Sequence, residues 1–252
     1  MTIGYQTYGT GPHKVIALHG WFGDQTTYDP MWDALSPEAF TYVFPAYRGY
    51  GLSRRLTGAY TMEEIAGDVI ALADSLGVAT FSLIGHSMGG KAAQRVLADA
   101  PARVRKLVAV TPVPASGVPF DDATLGQFRA AVNNPDVRRG IVGFSLGNRP
   151  LNPVWIDRIA GVPKLPGTPE AFSGYFESWA RGDFTDKIKG RTLPVKVIVG
   201  QHDGALTPDL MKATYLASYP NAQLEVMANA GHYPMNETPV ALGSSIEAFL
   251  RA

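Results

Sequence analysis

The sequence predicts an α/β protein, a doubly wound and mostly parallel sheet with an inserted, mainly helical cap. Three observations predict it. Short β-rich apolar runs alternate with amphipathic helical patterns along most of the chain. Several of the runs are apolar at consecutive positions, as strands are when helices cover both faces of the sheet. The alternation lapses once, over a Pro- and Gly-rich stretch between about residues 112 and 191. The expected division is therefore a core of residues 1–112 and 191–252 and an inserted cap of residues 113–190, and a chain of 252 residues has room for both.

The buried strands are expected at 14–18, 42–44, 81–84, 106–110, 195–199 and 224–227. The clearest helix starts at Thr61, which with Glu64 makes a capping-box pattern. Its apolar residues Ile65, Val69, Leu72 and Leu76 share one face before Gly77 ends it. A second helix runs from Met88 to the residue before Pro101, and others are expected near 208–218 and 240–250. Within the cap, Phe172, Tyr175, Phe176 and Trp179 sit at i, i+3, i+4 and i+7 and form an aromatic stripe. Such a stripe either docks the cap on the core or lines an acyl or aryl pocket, and the sequence leaves both open.

Lys+Arg and Asp+Glu each number 22, and no block of like charge stands out, so neither nucleic acid nor an anionic membrane is an expected partner. There is no cysteine, which removes disulfides and thiolate metal ligands. The first ten residues lack a basic region followed by an apolar stretch. Nowhere does the chain run for about 18 uninterrupted apolar residues, so a cytoplasmic location is the default expectation.

The chemistry centres on Gly85-His86-Ser87-Met88-Gly89-Gly90, which joins an expected strand to an expected helix. A sharp strand-to-helix turn exposes its central residue above the sheet edge, and small neighbours let adjacent backbone approach. Ser87 is thus the candidate nucleophile, and the Met88 N–H at the helix start is a candidate oxyanion donor. A serine needs a base. Of the five histidines, His232 follows the last strand in a loop at the sheet's carboxyl edge and is the candidate. His86 should point away from Ser87, His13 sits in an exposed-looking turn, and His19 should hold its own loop through hydrogen bonds. Asp203, directly beyond the strand at 195–199, is the carboxylate expected to orient His232. The loop His19-Gly20-Trp21-Phe22-Gly23 follows the strand at 14–18 and offers the Trp21 N–H as the second oxyanion donor. Trp21, Phe22, Phe172, Phe176 and Trp179 are the candidate pocket residues.

With these residues assembled, the sequence resembles the α/β-hydrolase superfamily over nearly the whole chain outside the cap. The resemblance rests on His19-Gly20-Trp21, Gly85-His86-Ser87-Met88-Gly89, and Asp203 with His232. It implies the α/β-hydrolase fold, and the order Ser, Asp, His is the family's, unlike the orders of trypsin and subtilisin. Arg48-Gly49-Tyr50-Gly51-Leu52-Ser53 resembles the family's arginine-glycine turn, although Ala46 stands where an acidic residue often precedes it. Related dehalogenases and most epoxide hydrolases use aspartate at the elbow, against Ser87 here. Carbon–carbon bond hydrolases usually carry asparagine before the nucleophile, against His86. The His19-Gly20-Trp21 start is also similar to that of cofactor-free haloperoxidase and perhydrolase-like esterases.

The resemblance implies hydrolysis of a small-molecule carboxylic ester, thioester or lactone through an acyl-enzyme, with no metal and no organic cofactor. The alternatives are a carbon–carbon bond hydrolase or a hydroxynitrile-lyase-like enzyme on the same three side chains, and a non-catalytic small-molecule binding module. The cap arginines Arg129, Arg138, Arg139 and Arg149 are expected to be solvated surface charges.

Overall fold

The computed structural model describes residues 2–162 and 164–252. Seven strands form one sheet in the order β1-β3-β2-β4-β5-β6-β7. They are β1 (Tyr5–Tyr8), β2 (His13–Leu18), β3 (Phe40–Pro45), β4 (Phe81–His86), β5 (Val104–Val110), β6 (Val195–Gly200) and β7 (Ala222–Met227). All neighbours are parallel except β1, which pairs antiparallel with β3. The six expected strands are present and one or two residues longer at some ends. The seventh, β1, alternates exposed and half-buried positions at the sheet margin, so it carries no apolar run for the sequence to reveal.

The last four positions of β2, β3, β4, β5 and β6 are all buried, yet the period of two persists in where the side chains go. Ile16, Leu18, Leu83, Leu107 and Val197 join a cluster on one face, whereas Val15, Ala17, Ile84, Val108 and Ile198 join a cluster on the other. The first face is covered by α1 (Met62–Ser75) and α2 (Met88–Asp99). In α1, Ile65, Val69 and Leu72 are fully buried, about 1.5–3 kcal/mol each relative to exposure. Thr61 Oγ1 accepts from Glu64 N–H at 3.2 Å, as the capping pattern predicts. The Glu64 carboxylate instead takes the N–H groups of Ala59 and Tyr60, tying down the loop ahead of the helix.

Between β5 and β6 the described residues hold five helices and no strand: α3 (Asp122–Ala130), α4 (Pro135–Ser145), α5 (Pro153–Ile159), α6 (Pro169–Arg181) and α7 (Thr185–Ile188). A fully buried lysine fastens α6 to the core. Lys91 of α2 donates to Trp179 O at 2.9 Å and to Gly182 O, carbonyls at the end of α6, where a cation complements the helix dipole. Burial lowers its pKa to about 8. Arg138, expected on the surface, is buried, because its guanidinium serves the carbonyls of Ala131 and Ala160 at 2.8 and 2.9 Å. Arg129, Arg139 and Arg149 pair with Glu177, Asp157 and Glu237.

After β6 come α8 (Pro208–Met211), which continues through a π-helical turn at Lys212–Leu216, then α9 (Pro234–Glu237) and α10 (Pro239–Arg251). Among the described residues no helix is long and apolar enough to cross a membrane.

The topology decides where a site can form. From β2 the chain moves outward to β3, then returns to the opposite side of β2 as β4. The loops leaving β2 and β4 therefore diverge at the carboxyl edge and open a crevice there. Leu18 is in register with Gly85, which brings the loop starting at His19 beside the turn at Ser87.

Candidate active site

Ser87 stands at the crevice, between β4 and α2, with φ 54° and ψ −119°. This left-handed conformation costs a non-glycine residue about 1–3 kcal/mol, and neighbouring backbone holds it. Ser87 N–H donates to Val110 O at 3.0 Å, and Ser87 O accepts from Gly90 N–H at 2.9 Å and Val113 N–H at 3.0 Å. The turn fits only because its flanks are bare: a Cβ at Gly89 would run into the carbonyls of Leu18 and His19. Gly20 does the same for the facing loop, since a Cβ there would come within 2.7 Å of His86 Nδ1 and 3.2 Å of Ser87 Cβ.

His232 and Asp203 meet although they lie beyond different strands. Asp203 Oδ2 accepts the Nδ1–H of His232 at 2.7 Å. Its other oxygen accepts the N–H groups of Ala205 and Leu206 at 2.9 and 3.0 Å, so the buried carboxylate is held by three donors. With Nδ1 protonated, Nε2 carries a lone pair. The backbone of His232 is fixed on both sides: its N–H donates to Ser145 O at 3.1 Å, and its carbonyl accepts from His86 Nε2 at 2.8 Å and Thr111 Oγ1 at 3.1 Å.

Ser87 and His232 line one cavity of about 690 Å³, and Ser87 Oγ stands there without a hydrogen-bond partner among the described residues. The wall is mainly apolar, and Trp21, Phe22 and Trp179 contribute to it. Phe172 and Phe176 do not. Phe172 stacks on Trp21 with centroids 4.0 Å apart and Phe176 on Phe128 at 5.4 Å, so both form a layer behind the wall. The aromatic stripe therefore divides: Trp179 reaches the cavity and its companions pack. Trp21 does both, since its indole Nε1–H donates to Phe172 O at 2.8 Å while its ring borders the cavity. The Met88 N–H heads α2 and has no intrahelical acceptor. In the loop after β2 the closing turn uses Gly23 N–H, which donates to Gly20 O at 3.1 Å.

The sequence profile of the alpha/beta hydrolase family matches residues 15–243. The chain belongs to the alpha/beta hydrolase family. Among its relatives is the dihydrolipoyllysine-residue acetyltransferase component of the acetoin cleaving system of Cupriavidus necator, 27% identical over 93% of this chain. The chain spans only 63% of that protein's length. The 2-(acetamidomethylene)succinate hydrolase of Mesorhizobium japonicum is 25% identical over 100% of this chain and 92% of its own. Among solved structures, a thermophilic esterase from Thermogutta terrifontis superposes with a TM-score of 0.84 at 27% identity, covering 99% of this chain and 93% of that one.

Several contacts in this alpha/beta hydrolase family member escaped the sequence. Glu237 lies five positions after His232, and its carboxylate ties down the backbone on both sides of that histidine. It accepts Gly231 N–H and Tyr233 N–H, each at 2.9 Å, and pairs with Arg149 from the segment between β5 and β6. An acid five positions after the histidine was a visible signal, but its partners were not. Arg48, whose usual acidic neighbour is replaced by Ala46, grips Asp68 of α1 instead, with Nε–Oδ2 at 2.7 Å and Nη2–Oδ1 at 2.8 Å.

The remaining histidines also resolve. His13, expected in an exposed turn, opens β2 and bonds Ser82 Oγ at 2.8 Å through Nε2. His19 donates from Nδ1 to Gly20 O at 2.8 Å, holding its loop, and burial lowers its pKa to about 4. His86, expected to turn away from the site, borders the cavity beside Ser87. Burial, with the neighbouring His232, drives its pKa well below the usual imidazole value. Among the described residues, no group of three or more His, Asp or Glu side chains could hold a metal ion.

Proposed function

We propose that this protein is a serine hydrolase that cleaves a carboxylic ester, thioester or lactone of a small, largely apolar substrate through an acyl-enzyme on Ser87. One observation carries the reading: the 2.7 Å bond from His232 Nδ1–H to Asp203 leaves the Nε2 lone pair free in a cavity that the Ser87 hydroxyl shares. Turned toward Nε2, the hydroxyl gives up its proton to His232 as Oγ bonds to the carbonyl carbon. The carbonyl oxygen takes the negative charge, and the N–H groups of Trp21 and Met88 are the proposed donors to it. Collapse breaks the carbon–oxygen bond to the leaving group, and the proton passes from His232 to that alkoxide. A water, deprotonated by the same imidazole, then attacks the acyl-enzyme and releases the acid and free Ser87. Asp203 keeps the tautomer and stabilises the imidazolium without taking the proton.

The apolar wall suits an acyl or aryl group, and residues 113–190 serve in this reading as a cap over it. The similarity to an esterase and to a hydrolase of a small amide-bearing acid is consistent with such chemistry.

The test is a pair of measurements. A fluorophosphonate probe should label Ser87 covalently, and Ser87→Ala should lose labelling together with at least about a thousandfold in p-nitrophenyl ester turnover. Unchanged turnover in the variant would end the proposal.

A further inference from the structure

Behind the loop that follows β2 lies a second cavity, of about 470 Å³, which shares Phe22, His86 and Tyr233 with the first. The two share a wall and differ in kind. Where the first is mainly apolar, the second is lined by the cations Arg54, Arg158 and Lys164 and by the carboxylates Asp24 and Asp29.

The charges of this second cavity are not spent on each other. Among the described residues none of the three cations forms an ion pair, whereas Arg48, Arg129, Arg139 and Arg149 all do. Arg54 Nη1 donates to Leu165 O and Pro166 O at 3.3 and 3.0 Å, and Arg158 Nη2 to Asn236 Oδ1 at 3.2 Å, all neutral acceptors. Arg158 and Lys164 are exposed and Arg54 is half-buried, so their remaining N–H groups face solvent, where an incoming acceptor can meet them. The two acids are occupied locally. Asp24 Oδ1 accepts the N–H and hydroxyl of Thr26 at 2.8 and 2.6 Å, and Asp29 Oδ1 accepts Gln6 Nε2–H at 2.7 Å.

Three cations against two carboxylates leave one positive charge unmatched, which fits a singly charged anion better than a doubly charged phosphate. A guanidinium edge beside an ammonium is the donor set that a carboxylate takes. Phe22, His86 and Tyr233 border both cavities, so the second adjoins the one that Ser87 lines. We infer that the second cavity is a carboxylate subsite of the same active centre, so that the substrate is an ester bearing a second, unesterified carboxylate. The inference about the substrate rests on the hydrolase reading of Ser87; the anion site itself does not.

The experiment is calorimetric titration of the wild-type protein with two anilides that differ only at one end, succinanilic acid and neutral butyranilide. The acid should bind about five to ten times more tightly, and the advantage should vanish in the Arg158→Gln, Lys164→Gln double variant. Equal affinities, no detectable binding of the acid, or a preference that survives in the double variant would overturn the inference. Covalent labelling of Ser87 by the fluorophosphonate probe separates the two readings. Selective binding without labelling keeps the anion site and removes the hydrolase, whereas labelling without selectivity does the reverse.

Discussion

His86 Nε2–H donates to the carbonyl oxygen of His232 at 2.8 Å, so the residue before the proposed nucleophile holds the backbone of its proposed base. The ring borders the reaction cavity, and its buried Nδ1 has no hydrogen-bond partner. It acts on His232 as a positioning residue. His86→Ala should lower kcat about tenfold with KM little changed, and His86→Gln, whose amide can still donate, should retain more activity. A wild-type kcat in the alanine variant would show that the loop keeps its geometry without this bond.

Glu237 gathers two loop N–H groups and the Arg149 guanidinium on one buried carboxylate. Glu237→Ala leaves all three without their acceptor and should destabilise the protein by about 2–4 kcal/mol. Urea unfolding monitored by circular dichroism would measure it, and a loss below about 0.5 kcal/mol would mean that water replaces the carboxylate without cost.

Gly140 lies inside α4 at the cavity wall, and a Cβ there would meet nothing within 4 Å. Gly140→Leu should narrow the cavity and shift the preferred acyl chain to shorter lengths. It should also stabilise the helix by up to about 1 kcal/mol, since glycine is a poor interior residue. An unaltered chain-length profile across p-nitrophenyl acetate to octanoate would place the acyl group elsewhere.

Acid should weaken the fold through histidines buried in the neutral form. His19 has its pKa lowered from 6.5 to about 4, and His86 is lowered well below 6.5, both chiefly by burial. Each is protonated more readily unfolded than folded. Their stabilising contribution is complete above the unfolded value and is lost as pH falls through the window below 6.5, toward about 4 for His19. Each group adds up to about 1.4 kcal/mol per pH unit to the slope. His19→Asn should flatten the fall in unfolding free energy between about pH 6.5 and 4.5, and an identical slope would assign the acid sensitivity to other groups.

The fold was legible because its signals are local. Val15–Leu18, Phe81–Ile84 and Val195–Val199 each carry enough β-branched or apolar residues to declare a strand alone, and Thr61 and Gly77 bracket a helix within one stretch of chain. The strand β1 was silent because its margin position asks for no apolar run. Within the site, Ser87, Asp203 and His232 could be singled out because each follows a recognisable strand. Glu237, Lys91 and the Arg48–Asp68 pair could not, since a charged residue in the sequence looks alike whether water or a distant carbonyl satisfies it.

The sequence by itself determined the strand and helix pattern, the turn that exposes Ser87, and the loops that carry Asp203 and His232, because periodicity and turn chemistry act between residues close along the chain. Only the tertiary structure decided which aromatic rings reach the cavity, which charges are buried, and that a second, cationic cavity adjoins the first. Those outcomes depend on separate segments meeting in space, as when Arg54, between β3 and α1, comes to share a pocket with Arg158 and Lys164 of the segment between β5 and β6. Burial and pairing are properties of that meeting and of neither segment alone.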